Sequence, residues 1–447
     1  MRLQTYPALT LLIAVCFALA FGQTVAVGQT GERAQAATPL ERRAADVCAL
    51  FRATPGEYEK ILAPDFLAKI PEGQLTPVFT RYFGQLGRCT NTKLIKRQDE
   101  NPSDFELIFE KGFSVPMKLS VTAAAPNLID SLWLGNATSL SSSLAEIVNE
   151  LKALPGETSF SVVRLNEDSM TPLAAWNADR ELAIGSSFKL YILSELAREV
   201  NANERKLSDV VTLDDRAYSL PSGTLQAWPR GSPVTLHTLA AFMISISDNT
   251  AADQLLAILT RERVEHMLAE TGHAKPELNM PFLSTLEMFK LKGEPTHKAA
   301  DEYLSLEANG RRRFLTERIA PIKREDTKPY PDGKPAYIDR IEWFASVTDL
   351  CRIMNWLRRK TEARGPAAPL REVLAINPGS GLNVSRERWS FIGYKGGSEP
   401  GVLNMTYLLQ STGGQWYAMA VTWNDPKAAL DSNKLFALVQ RALQIIG

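Results

Sequence analysis

Ser186 and Lys189 lie in the stretch Ile184-Gly185-Ser186-Ser187-Phe188-Lys189-Leu190-Tyr191-Ile192 and form a pair whose types and spacing could do chemistry. The stretch reads as a turn running into an apolar helix, with Ser186 at its start and Lys189 one turn later. Residues at i and i+3 share a helix face, so the amine can sit beside the hydroxyl. A serine hydroxyl is a weak nucleophile until a neighbouring base takes its proton. An ammonium desolvated among Phe188, Leu190 and Ile192, near a second cation, loses its proton more easily than in water. The helix start also aims free backbone N–H groups at the space where a tetrahedral oxyanion would form. That is the chemistry of acyl transfer. Ser-x-x-Lys by itself is short and common, and it equally describes a capped helix with an exposed lysine.

Two more signals follow in order: Ser247-Asp248-Asn249 and Lys395-Gly396-Gly397. Taken singly, the first also fits a helix stop with an N-cap, and the second a solvent-facing strand end. Ser-x-x-Lys, Ser-Asp-Asn and Lys-Thr-Gly together mark class A β-lactamases and penicillin-binding proteins. On this ordered trio, the chain from about Leu154 to Ile446 resembles the class A β-lactamase family. Over nearly its full length it is similar to the two-domain proteins of clavulanic acid gene clusters, an isomerase-like domain followed by a β-lactamase-like one. The resemblance implies that Ser186 is acylated, that Lys189 is the acylation base and that Ser247 relays the proton to the leaving nitrogen. It makes Asn249, Lys395, Gly397 and Ser398 the substrate-binding candidates. Asn249 would donate to the substrate's side-chain amide, and the backbone N–H groups of Ser186 and Ser398 would form the oxyanion hole. Asp248 is expected to cap the helix that follows.

The sequence departs from the family's pattern in two places. Gly396 replaces the hydroxyl residue that helps hold a substrate carboxylate. Lys275, in Lys275-Pro276-Glu277-Leu278-Asn279, stands where the family's deacylating glutamate belongs, and Glu277 could serve only by a shift of register. Ser284-x-x-Glu287 reads instead as a capping box. General-base help contributes typically ~10²–10⁴-fold, so hydrolysis of an acyl-enzyme should be slow. The expected activity is therefore β-lactam hydrolysis at a low rate. An esterase or peptidase, or a penicillin-binding sensor that stays acylated, are the alternatives.

The elements needed to position these residues are legible as hydrophobic patterns. Thr38 to about Ala137 reads as helices (Leu40–Arg52, a short one after Pro55, Thr76–Leu86) and then four strands, an α+β domain that resembles the cone-shaped NTF2-like fold. Thr138–Ser143 is serine-rich and reads as a linker tail, followed by a helix over Leu144–Leu154. After it come strands at Thr158–Leu165 and Pro172–Trp176, a block of helices, a charged insert from Met280 to Ile341, and strands at Trp389–Lys395, Val402–Gln410 and Gln415–Trp423. A final helix ends at Ile446. This predicts a β-lactamase/transpeptidase-like domain, an antiparallel sheet with a helical subdomain. The expected domains are 37–137, a linker with first helix at 138–155, and 156–447. Tyr218 or Trp228 could offer an aromatic shelf to substrate, and the insert could form a lid over Trp343 and Phe344.

At 447 residues the chain exceeds one ordinary core. Its formal net charge of zero gives no reason to expect nucleic acid as a partner. The four histidines form no ligand pattern, so neither a metal nor another cofactor is expected. Arg2, the apolar run Ala8–Phe21 and Ala34-Gln35-Ala36 read as a secretory signal over residues 1–36. The mature protein is thus expected to be secreted or periplasmic, monomeric, without a membrane span, and acting on a small β-lactam or ester. Cys48 and Cys89 share the first domain and are either bridged or free, while Cys351 should be a single buried helix residue.

Overall fold

The computed structural model describes residues 37–96, 103–293, 298–361, 364–379 and 387–446. The expected signal, 1–36, lies outside them, as does His297. Pro39–Gly447 is one compact unit. Its first part opens with helices α1 (Pro39–Ala49), α2 (Pro64–Lys69) and α3 (Glu72–Leu86), followed by strands β1 (Cys89–Lys96), β2 (Ser103–Phe109), β3 (Phe113–Val121), β4 (Ile129–Leu134) and β5 (Thr138–Ser139). The strands form an antiparallel sheet in the order β1-β2-β3-β4, with β5 on β3. Phe105, Leu107 and Phe109 alternate inward on β2, and Phe51 packs edge-on against both Phe79 and Phe109. Cys48 and Cys89 form a disulfide that ties α1 to β1.

The serine-rich stretch read as a linker tail is tied down. Ser139 and Ser141 are buried, and both hydroxyls donate to Glu150 on α4 (Leu144–Lys152). The second part then runs β6 (Glu157–Leu165), β7 (Met170–Trp176), β8 (Leu182–Ala183), α5 (Lys189–Asn201), β9 (Val210–Thr212), β10 (Pro233–Thr235), α6 (Leu236–Ser245), α7 (Asn249–Leu259) and α8 (Arg261–Glu270). The insert folds as α9 (Thr285–Gly293), α10 (Lys298–Ser305) and α11 (Ala308–Phe314), then a proline-rich loop. Ser284 and Glu287 make the expected reciprocal cap at the start of α9. Last come β11 (Phe344–Ala345), α12 (Val347–Lys360), α13 (Pro369–Ala375), β12 (Trp389–Glu399), β13 (Val402–Ser411), β14 (Trp416–Asn424) and α14 (Ser432–Ile445).

The main sheet is antiparallel in the order β12-β13-β14-β6-β7, so β12 is an edge strand. Strand alternation gives it two apolar faces. Met405, Tyr407, Leu409, Met419, Val421 and Trp423 pack toward α4 and α14, while Leu408, Ala418 and Ala420 face the helices. α5 lies in that second core and is apolar on nearly every side, with Leu190, Tyr191, Ile192, Leu193 and Leu196 all buried. A helix buried all round is a rigid platform for whatever its first turn carries. Cys351 is buried in α12. No helix among the described residues is long and apolar enough to cross a membrane.

Replacing Cys48 and Cys89 by serine should cost the first part about 2–4 kcal/mol. Hydrogen exchange should show lost protection in β1–β3 with α5–α8 unchanged. Equal protection with and without the bridge would refute this.

Candidate active site

Ser186 lies on a 3₁₀ turn, Gly185–Phe188, and α5 begins only at Lys189. The 3₁₀ geometry has three residues per turn, so i and i+3 eclipse, and Lys189 falls directly beside Ser186. Nζ lies 3.2 Å from Ser186 Oγ. The turn is anchored on both flanks. Ile184 N donates to Trp343 O at 3.0 Å, and the Phe188 ring stacks on Trp343 with centroids 3.7 Å apart. The buried Ser187 hydroxyl donates to Asn404 Oδ1 on β13.

Ser247 sits between α6 and α7 with φ of 56°, in the left-handed region that a serine adopts only when its surroundings require it. Those surroundings are explicit. Asp248 caps α7 by accepting from Ala251 N at 2.9 Å, and its other oxygen accepts from Thr224 N and Leu225 N at 2.6 and 2.9 Å. Gly223 approaches Asp248 so closely that a Cβ there would lie 2.2 Å from the carboxyl carbon. The loop therefore locks the tripeptide. Ser247 Oγ lies 3.1 Å from Lys189 Nζ and accepts from Lys395 Nζ at 3.0 Å. One amine thus bridges the two serines, and a second reaches the Ser247 hydroxyl from β12.

The electrostatics set the state of that amine. Lys189 is buried, and its pKa is held well below the ordinary lysine value, first by burial and then by the Lys395 charge. A neutral amine has two N–H donors and one lone pair. Ser247 O and Asn249 Oδ1, each 2.6 Å away, take the two donors. The lone pair is left for a serine proton. Lys395 is itself pushed down to about 7 by burial. Asn249 is engaged at both ends, since its Nδ2 donates to Leu220 O at 3.1 Å.

Lys395, Gly397 and Ser398 come to the site on β12. A Cβ on Gly397 would lie 2.0 Å from Ile184 O and 2.5 Å from Ser186 N, and one on Gly185 would lie 3.0 Å from Ser398 N. Only a glycine–glycine contact lets the edge strand meet the 3₁₀ turn this closely, with Ser186 N beside Gly397 and Ser398 N beside Gly185. These groups line a cleft of ≈ 630 Å³, together with Thr285, Met288, Pro329, Tyr330 and Trp343.

Several expected residues are placed elsewhere. Glu277 is exposed on a turn (Pro276–Asn279) held against Phe344 by Asn279, and it does not border the cleft, nor does Lys275. Tyr218 is buried with its hydroxyl donating to Pro229 O, and Trp228 packs on Phe242, so neither forms a shelf at the cleft. The cleft's carboxylates are instead Glu342 and Glu399, which sequence reasoning missed because their partners are scattered along the chain. Lys292 Nζ donates to both, at 3.0 and 2.6 Å, and Tyr330 donates to Glu399. Burial works against the Lys292 charge, but the two glutamates outweigh it and hold its pKa up. Glu399 is pushed up to about 8 by burial and by Glu342. Neither carboxylate hydrogen-bonds Ser186, Lys189 or Ser247 among the described residues. Away from the cleft, Glu181, His273 and Asp349 lie close enough to suggest a cation site. Both His273 nitrogens and the Asp349 carboxylate are already committed to Lys275 N, Phe344 O, Ser346 and Arg352, so the set does not fit a metal.

Residues 139–317 match the model of the Beta-lactamase enzyme family, a stretch that holds Ser186, Lys189 and Ser247 but ends before Lys395. Solved structures that resemble the chain include a β-lactamase from Sphaerobacter thermophilus (22% identity, 68% of this chain and 96% of that one, TM-score 0.47). Others are PBP-A (17%, 67% and 95%, 0.45) and a β-lactamase from Chitinophaga pinensis (12%, 67% and 96%, 0.45). None of the curated proteins compared with the chain matches it.

Gly397→Ala should force the strand from the turn, where both close atoms are backbone, at a cost of about 1–3 kcal/mol. A lower melting temperature and loss of Ser186 labelling by a serine-directed phosphonate are expected. Unchanged melting and labelling would contradict the close contact.

Proposed function

We propose that this protein is a serine acyl hydrolase of the β-lactamase-like kind, acylated at Ser186 by a β-lactam and slow to release the product. The observation that carries the reading is the Lys189 amine, 3.2 and 3.1 Å from the two serine hydroxyls, with its pKa held well below the ordinary lysine value by burial. The match of residues 139–317 to the Beta-lactamase enzyme family supports the same class of chemistry.

Lys189 accepts the Ser186 proton as Oγ attacks the lactam carbonyl carbon. The backbone N–H groups of Ser186 and Ser398 take the oxyanion, each such donor being worth about 2.7–4 kcal/mol in the transition state. The C–N bond breaks as Ser247 gives its proton to the departing nitrogen and is reprotonated from Lys189. Lys395 polarises the Ser247 hydroxyl. Asn249 and the Ser247 carbonyl act as positioning groups, because they fix the two N–H donors of Lys189 and so aim its lone pair. Hydrolysis of the ester needs a water and a base. The cleft's two carboxylates are tied to Lys292, and Glu277 is elsewhere, so this step lacks the help worth ~10²–10⁴-fold. The disulfide, with the leader-like N-terminus, supports action outside the cytoplasm.

A chromogenic cephalosporin should therefore give a burst equivalent to one acylation per protein, followed by turnover below the burst rate, with a matching adduct by intact mass. Ser186→Ala should abolish both. Fast turnover without an accumulating adduct would refute slow release, and cleavage of simple esters with no lactam adduct would favour the esterase reading.

The pH dependence has a defined sign. Below about 7 Lys395 carries its charge, and above it the charge is lost. The second-order acylation rate for a carboxylate-bearing lactam should fall more steeply as pH rises through that region than the rate for its neutral ester, which loses only the effect of Lys395 on Ser247 and Lys189. Parallel profiles for the two would remove Lys395 from anion recognition.

A further inference from the structure

The loop that precedes Ser247 grips the Ser247-Asp248-Asn249 tripeptide at more points than a helix cap requires. Besides Thr224 N and Leu225 N on Asp248, it meets both residues whose oxygens take the Lys189 donors. Leu220 O holds the Asn249 amide from behind. Ser222 makes the remaining two contacts. Its carbonyl accepts from Asn249 N at 3.0 Å, and its hydroxyl donates to Ser247 O at 2.7 Å. Ser247 O is the same oxygen that takes a donor from Lys189 Nζ at 2.6 Å. A carbonyl oxygen has two lone pairs, so this one is filled by a hydroxyl on one side and the amine on the other. Ser222 is exposed and borders the cleft. Burial therefore does not oblige its hydroxyl to find a protein partner.

We propose that Ser222 is a positioning residue for the proton transfer, acting through Ser247 O to keep that oxygen from holding the Lys189 amine in its charged form. This rests on the acyl-transfer reading above and adds a residue outside the three motifs. A hydrogen bond that favours the charged form of a group makes its proton harder to lose. Ser247 O makes such a bond to the ammonium, and sharing the oxygen with the Ser222 hydroxyl weakens it. The hydroxyl also fixes the direction of the carbonyl on Ser247, whose φ of 56° leaves it strained. The charged groups around the amine are Lys395 from β12, which opposes its charge, and Asp253 and Asp248 from α7 and its cap, which favour it. Among the described residues Ser222 hydrogen-bonds none of the three, so removing its hydroxyl leaves them in place.

The test follows acylation of the full chain by benzylpenicillin against pH, with the Lys189 titration read separately by carbon NMR of isotope-labelled lysine. In Ser222→Ala the Lys189 midpoint should move up by about half to one pH unit, the worth of one neutral hydrogen bond. Relative to the parent, the acylation rate should fall about two- to fivefold on the acid side and recover on the alkaline side, where a stronger base is as good or better. Ser222→Thr should restore both readouts, and Ser222→Cys, with its weak S–H donor, should fall between. A deficit of equal size at every pH, an unmoved midpoint in a folded Ala or Cys variant, or no rescue by Thr would overturn the proposal. A moved midpoint with no adduct on Ser186 in the otherwise native protein would overturn the acyl-transfer reading and leave the link from Ser222 to the amine standing.

Discussion

A lysine amine buried without a counter-ion is the constraint on which the rest of the site depends. Among the described residues no carboxylate hydrogen-bonds Lys189, and Asp253 and Asp248 favour its charge less than burial and Lys395 oppose it. Asp248 accepts from Ala251, Thr224 and Leu225, and Asp253 accepts from Thr285 N and Leu286 N at 2.7 and 3.0 Å. Placing a charge in such surroundings is expensive, so the amine gives up its proton more easily than an ordinary lysine. The strained Ser247, the capped start of α7 and the loop around Asp248 then serve one end. They hold two acceptors at 2.6 Å from the amine and turn its lone pair toward a hydroxyl.

Lys292, in the same cleft, shows the opposite outcome of the same physics. It is equally buried, yet two carboxylates within hydrogen-bond distance keep it charged. Its ion pairs fasten the proline-rich loop to the end of β12, with Tyr330 closing the set. The carboxylates that might have served a hydrolytic water are thereby committed to structure. Lys395 lies between the two cases, buried but beside a hydroxyl, and its charge changes near neutrality.

The edge position of β12 explains why its glycines matter. Gly397 permits contact with the turn that carries Ser186, and Gly396 makes room for the Tyr394 phenol. One strand end thus contributes a cation and a backbone donor, each through a different local requirement.

Much of this was readable without a structure. The apolar run after Ser186, the alternation in the strands and the caps at Asp248 and Ser284 obey local rules, and the elements form within a few residues of where those rules put them. Ser186, Lys189, Ser247 and Lys395 could be singled out for the same reason, since each lies at a turn or strand end with its own short signature. What no local rule could supply was the meeting of distant segments. Glu342, Glu399 and Lys292 carry no mutual spacing, Glu277 was turned away by the packing of Asn279 on Phe344, and the role of Gly396 depended on where the Tyr394 ring lay. Local backbone preference acts over a few residues, whereas desolvation and close contact depend on what the whole fold brings within a few ångströms.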